Sequence, residues 1–171
     1  MSNSLEQRLA AVEQRLQVVE DREAIIKLKA TYVNYNDGGW KGPTHCFPDE
    51  VADLFVEDGI WDGRPYSGYA EGKDQIRELF KAFQIMPFII HYVTNPLIEV
   101  DGDNATGHWH AIVTANMPDG SARWILGLYK EAYVRTAAGW KFRTLNFETM
   151  ANTPYDMGWG KQQFVEAGEL E

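Results

Sequence analysis

Apolar residues open the chain at Leu5, Leu9, Val12, Leu16 and Val19, alternating steps of four and three, and Ile26 and Val33 continue the same seven-residue rhythm. This spacing lays one apolar stripe along a helix and predicts either a short coiled-coil seam or a helix resting on another surface. Ser4 followed by Gln7 forms a capping-box start, and Asp21-Arg-Glu offers a second start, so one long helix or two fit the pattern, ending by Asp37-Gly-Gly39. Residues 48–56 predict a short helix with Val51, Leu54 and Phe55 on its apolar side, after which Glu57-Asp-Gly59 turns the chain into Ile60-Trp61-Asp62. A Gly- and Pro-bearing hairpin over residues 63–68 leads to a helix over 73–84, where Ile76, Leu79, Phe80 and Phe83 keep helical spacing.

From Ile90 the period changes to two, and strands are predicted over residues 91–100, 105–115, 122–135 and 140–150. Their connections are short and turn-forming, as in Asp101-Gly-Asp-Asn104 and Thr136-Ala-Ala-Gly139, so consecutive strands are expected to pair antiparallel as hairpins. Helices first and a meander later indicate an α+β fold. A bent antiparallel sheet wrapped around helices leaves its concave face either filled or open as a pocket. Alternation puts His91, Val93 and Asn95 on one strand face, with Trp109, Ala111 and Val113 lining the same face of the next strand.

Composition narrows the function. At 171 residues and 44% hydrophobic the chain suits one core-bearing domain. We divide it into an extension over 1–20, a main domain over 21–152 and a tail over 153–171. A formal charge of -9 opposes binding to nucleic acid or an anionic membrane surface. The longest apolar stretch lies near Ile85 and is far short of a bilayer span, and the N-terminus has no signal-peptide pattern, so a cytoplasmic protein is expected. Cys46 is the single cysteine and has no disulfide partner within the chain.

Nucleophile-elbow, dinucleotide-binding, phosphate-loop and Cys-rich metal motifs are absent, which leaves proton transfer as the chemistry to consider and predicts no cofactor and no metal. His91 is the leading candidate, because an imidazole oriented by a carboxylate can take up and return a proton, and Asp37 is the carboxylate that could orient it. Tyr32, five residues before Asp37, could donate its phenol to a substrate oxygen. Trp61, Trp109, Tyr129 and Phe147 would wall an aromatic site, and Arg123 and Arg143 are strand cations that could meet an oxyanion. His108 and His110 share a strand face, but no acid or cysteine in that strand completes a metal set; a shift of one position would turn His110 into the pocket.

Arg22-Glu-Ala-Ile-Ile26 through Tyr32 to Asp37, Leu54-Phe-Val-Glu-Asp-Gly-Ile-Trp61, His91-Tyr-Val-Thr-Asn95, Asp101-Gly-Asp-Asn-Ala105 and Gly139-Trp-Lys-Phe142 together resemble the polyketide-cyclase-like (SnoaL-like) group of the nuclear transport factor 2-like superfamily. That group includes dehydratases and a dehydrochlorinase. The resemblance implies a cone-shaped α+β barrel whose bent sheet encloses a pocket behind the first long helix. It also implies a cofactor-free His-Asp dyad at His91 and Asp37, with Tyr32 at a position that is tyrosine in some members, and a dimer or trimer. The expectation is a lyase of the dehydratase kind acting on a hydrophobic cyclic small molecule. A ketosteroid-type isomerase, and a ligand-binding or accessory subunit without catalysis, are the alternatives.

Overall fold

The computed structural model describes residues 4–38 and 46–166. Gly39, the first three residues and 167–171, which the sequence reading assigned to the helix stop, the extension and the tail, lie outside the described residues.

One uninterrupted helix, α1 (Leu5–Asn36), replaces the choice between one and two. Its capping box forms as expected: the Gln7 amide donates to Ser4 Oγ at 3.2 Å, and the Ser4 amide donates to Gln7 Oε1 at 3.0 Å. Asp21 does not start a second helix. It sits buried in mid-helix, where it accepts two bonds of 2.6 Å from Arg135 and one of 3.1 Å from Trp140. The Arg135 guanidinium holds its carboxyl below the ordinary value. Beyond this clamp, Ile25, Leu28, Lys29, Tyr32, Val33 and Asn36 are buried at helical spacing, whereas Leu5, Leu9, Val12, Leu16 and Val19 are all exposed.

α2 (Pro48–Asp53) ends sooner than the pattern suggested, and Phe55 already belongs to β1 (Phe55–Asp62). Residues 57–59, expected as a turn, lie within that strand across a register shift between Phe55 and Ile60. β2 (Tyr69–Glu71) pairs back on β1, and α3 (Lys73–Phe83) buries Ile76 and Phe80 completely. The meander is β3 (Phe88–Asp101), β4 (Asn104–Asn116), β5 (Ala122–Thr136) and β6 (Gly139–Pro154). A single-turn α4 (Gly158–Lys161) follows.

All strands join one sheet in the order β2-β1-β6-β5-β4-β3. The three predicted hairpins are present, but the sheet is mixed rather than wholly antiparallel, because β1 lies parallel to β6. Register shifts in β1–β6, β3–β4 and β5–β6 mark where the sheet bends. α1 fills its concave side: the Tyr32 ring meets Phe80, Tyr129 and Phe142 edge-on at centroid distances of 6.1, 6.4 and 5.6 Å.

Candidate active site

The last turn of α1 delivers three polar side chains to the open end of the concave face. Tyr32 and Asn36 are four residues apart and share one helix face, and Asp37 is the helix C-cap. β3 runs past this helix end and supplies His91. Asp37 still donates its backbone amide to the Val33 carbonyl at 2.9 Å, and as the C-cap it directs its carboxylate toward β3.

Asp37 grips His91 twice. The His91 backbone amide donates to Asp37 Oδ2 at 2.9 Å, and Nδ1 lies 2.6 Å from Oδ1. A carboxylate only accepts, so Nδ1 carries the hydrogen, and in the neutral imidazole the lone pair is then on Nε2. Both groups are buried, and His91 lines the cavity. Asn36 Nδ2 approaches Nε2 at 3.4 Å, a long contact that an incoming ligand atom can replace.

Tyr32 is fully buried at the cavity wall, and its hydroxyl accepts a 2.9 Å bond from Trp61 Nε1. Burial raises its pKa well above the ordinary phenol value, so it stays protonated and keeps an O–H to donate. Beneath it, Lys29 is paired with Glu131 at 2.5 Å, both without solvent contact, and Lys29 Nζ stands 3.2 Å from the centroid of the Tyr129 ring. Glu131 also accepts from the Tyr133 hydroxyl, which in turn accepts from Trp109 Nε1 at 3.0 Å.

The cavity measures about 280 Å³, close to the lower end of small-molecule pockets at roughly 300 Å³. Trp61, Phe83, Tyr129 and Phe147 wall it, with Val113 and Ile125 on its floor. Gly127 makes room for one wall: a Cβ there would fall 2.3 Å from Phe147 ring atoms. At the mouth, the chain after β6 returns along the sheet, bonding the Val165 amide to the Asn152 carbonyl at 2.7 Å, and Phe164 stacks on Tyr66 at 6.0 Å.

Of the residues singled out in the sequence, His91, Tyr32, Trp61, Tyr129 and Phe147 line this cavity, and Asp37 stands directly behind His91. Three do not. Trp109 is buried against Tyr133, deeper in the core, because the cavity occupies only the helix-end part of the concave face. Arg143 is exposed, because it is the extra residue at the β5–β6 register shift, which lets Phe142 and Leu145 both face inward. His110 and His108 both face outward, as alternation about the inward Trp109 requires.

Asn95 also departs from the expected face. It adopts a left-handed φ of 54° at the β3–β4 register shift and approaches His110 Nδ1 at 3.2 Å on the outer surface. Sequence reasoning missed Asn36 and Asn152, both cavity-lining. Asn36 could have been noticed as the neighbour of Asp37 at a helix end, whereas Asn152 lies past the last predicted strand. Among the described residues, no group of three or more His, Cys, Asp or Glu side chains could hold a metal ion.

Solved structures of the same fold include a candidate aromatic ring hydroxylase from Novosphingobium aromaticivorans, at 29% identity and TM-score 0.68 over 80% of this chain and 94% of that one. A hexachlorocyclohexane dehydrochlorinase aligns at 24% identity and TM-score 0.72 over 82% and 92%. A candidate scytalone dehydratase, also from Novosphingobium aromaticivorans, aligns at 21% identity and TM-score 0.68 over 91% and 99%. No curated protein sequence gives a significant match. The family model of the SnoaL-like domain matches residues 17–146, which takes in α1 from Gln17 onward, the dyad and most of the sheet, and the chain belongs to that family.

Proposed function

We propose that this protein is a cofactor-independent lyase, of the dehydratase kind, for a hydrophobic cyclic small molecule. The observation that carries the reading is the double hold of Asp37 on His91, which fixes the ring so that Nε2 faces a largely apolar cavity. In the proposed reaction Nε2 takes a proton from a ring carbon, and the C–H electron pair forms the new double bond. The C–O bond at the neighbouring position breaks, and the departing hydroxide takes the imidazolium proton and leaves as water. Asp37 stabilises the imidazolium, while the Tyr32 phenol donates to a substrate oxygen that gains negative charge.

A positioned general base contributes about 10²–10⁴-fold. A His91→Ala protein with unchanged circular dichroism should therefore lose turnover by that factor when water release from cyclic hydroxy-ketones is followed. Retained turnover would remove the proposal.

The proposal assigns the chemistry to residues 21–152, with 153–171 as a tail. It assigns self-association, as a dimer or trimer, to the first twenty residues. The support for that assignment is an apolar stripe with nothing over it among the described residues, from Leu5 at 79% exposed to Leu16 at 54%.

A further inference from the structure

His91 is one end of a straight row of residues across four strands. His91 pairs with Val113, Val113 with Ile125, and Ile125 with Asn152, and all four line the cavity. The row therefore reads polar, apolar, apolar, polar. Asn152 is 5% exposed, and its Oδ1 has no hydrogen-bond partner. Buried carboxamides are ordinarily satisfied, and an unsatisfied one in a residue that lines a cavity calls for a ligand atom.

The backbone around it is fixed. The Asn152 amide donates to the Gln163 carbonyl at 3.0 Å and the Val165 amide returns to the Asn152 carbonyl, so the backbone is held where the residue lines the cavity. Arg123 lies two residues from Ile125, on the same strand face, and also lines the cavity. Three strand spacings of about 4.8 Å put the two ends roughly 14 Å apart along the sheet. The sheet is bent, so side chains on its concave face converge, and the gap between the two ends is about the length of two linked six-membered rings.

We propose that Asn152 is a specificity-determining residue that hydrogen-bonds a hydroxyl group on the end of the ligand remote from His91. A hydroxyl both donates and accepts, so it satisfies the carboxamide in either orientation. The inference rests on the pocket being the site of the proposed lyase, and it adds the substrate class: a two-ring, largely apolar molecule with the reacting carbon at one end and a phenol or alcohol at the other.

The test compares binding of 4-(4-hydroxyphenyl)cyclohexanone with that of 4-phenylcyclohexanone by calorimetry. The hydroxylated probe should bind the unaltered protein about five- to tenfold more tightly, as one added hydrogen bond provides. Asn152→Leu should abolish that difference while binding the unhydroxylated probe at least as well, and Asn152→Ala should do the same if the leucine variant does not fold. Asn152→Leu should also raise the melting temperature, because the side chain it replaces has no partner; a purely structural asparagine would give the opposite shift. His91→Ala should leave the discrimination intact, so failure of the catalytic proposal would not mimic failure of this one. Equal binding of the two probes, discrimination that survives in both Asn152 variants, or no binding of either probe would overturn the inference.

Discussion

The two charged side chains buried beneath the cavity, Lys29 and Glu131, are paired with each other. Lys29 is wholly buried, and its burial lowers the ammonium to about 8 even though Glu131 works in the other direction. Removing Glu131 strands that charge, so Glu131→Leu should cost about 3–5 kcal/mol in denaturant unfolding at pH 7, and adding Lys29→Met should recover most of the loss. The folded form gives up the Lys29 proton more easily than the unfolded chain does, near 8 against 10.5. Without Glu131, which raises the ammonium, Lys29 gives up its proton more easily still, so the single variant should regain stability as pH rises through the range below 10.5. A double variant no more stable than Glu131→Leu would contradict this account. Lys29 and Glu131 are 102 positions apart, and neither helical nor strand periodicity marks them, which is why the sequence did not expose the pair. The dyad residues were legible as candidates because few side chains exchange protons and His91 has few competitors, but their 2.6 Å contact depends on where a helix end meets a strand.

At the scale of elements, each predicted strand of the meander formed, because strict alternation and short turns specify hairpins locally. β1 was hidden for the opposite reason. It pairs parallel with β6, as in Ile60 with Thr144, 84 positions away, and the polar Glu57-Asp-Gly59 within it imitates a turn. The face of β3 was read correctly as far as Val93 and then lost at the register shift, where Asn95 turns outward ahead of Pro96. α1 is two functional lengths in one helix: the part beyond Asp21 packs against the sheet, while the earlier turns carry an uncovered apolar stripe. Deleting residues 1–20 should convert the assembled protein to monomer in light scattering and leave its circular dichroism shape intact. An unchanged mass would show that self-association, if any, uses another surface.

For the whole molecule, the fold creates a cavity by stopping its packing short. Tyr32, Phe142 and Tyr133 fill the concave sheet at one end, and the helix end, β3 and the returning chain after β6 leave the other end open. No described helix is long and apolar enough to cross a membrane. The central claim is that His91 Nε2 removes a proton from carbon inside this cavity. The direct measurement is the rate at which 4-(4-hydroxyphenyl)cyclohexanone exchanges the hydrogens beside its carbonyl for deuterium in D₂O, followed by proton NMR with the unaltered protein, with His91→Ala and with buffer alone. The account predicts exchange accelerated by the unaltered protein and slowed by about 10²–10⁴-fold, toward the buffer rate, in His91→Ala. Equal rates for a folded His91→Ala and the unaltered protein, or a bound probe that exchanges no faster than in buffer, would contradict it.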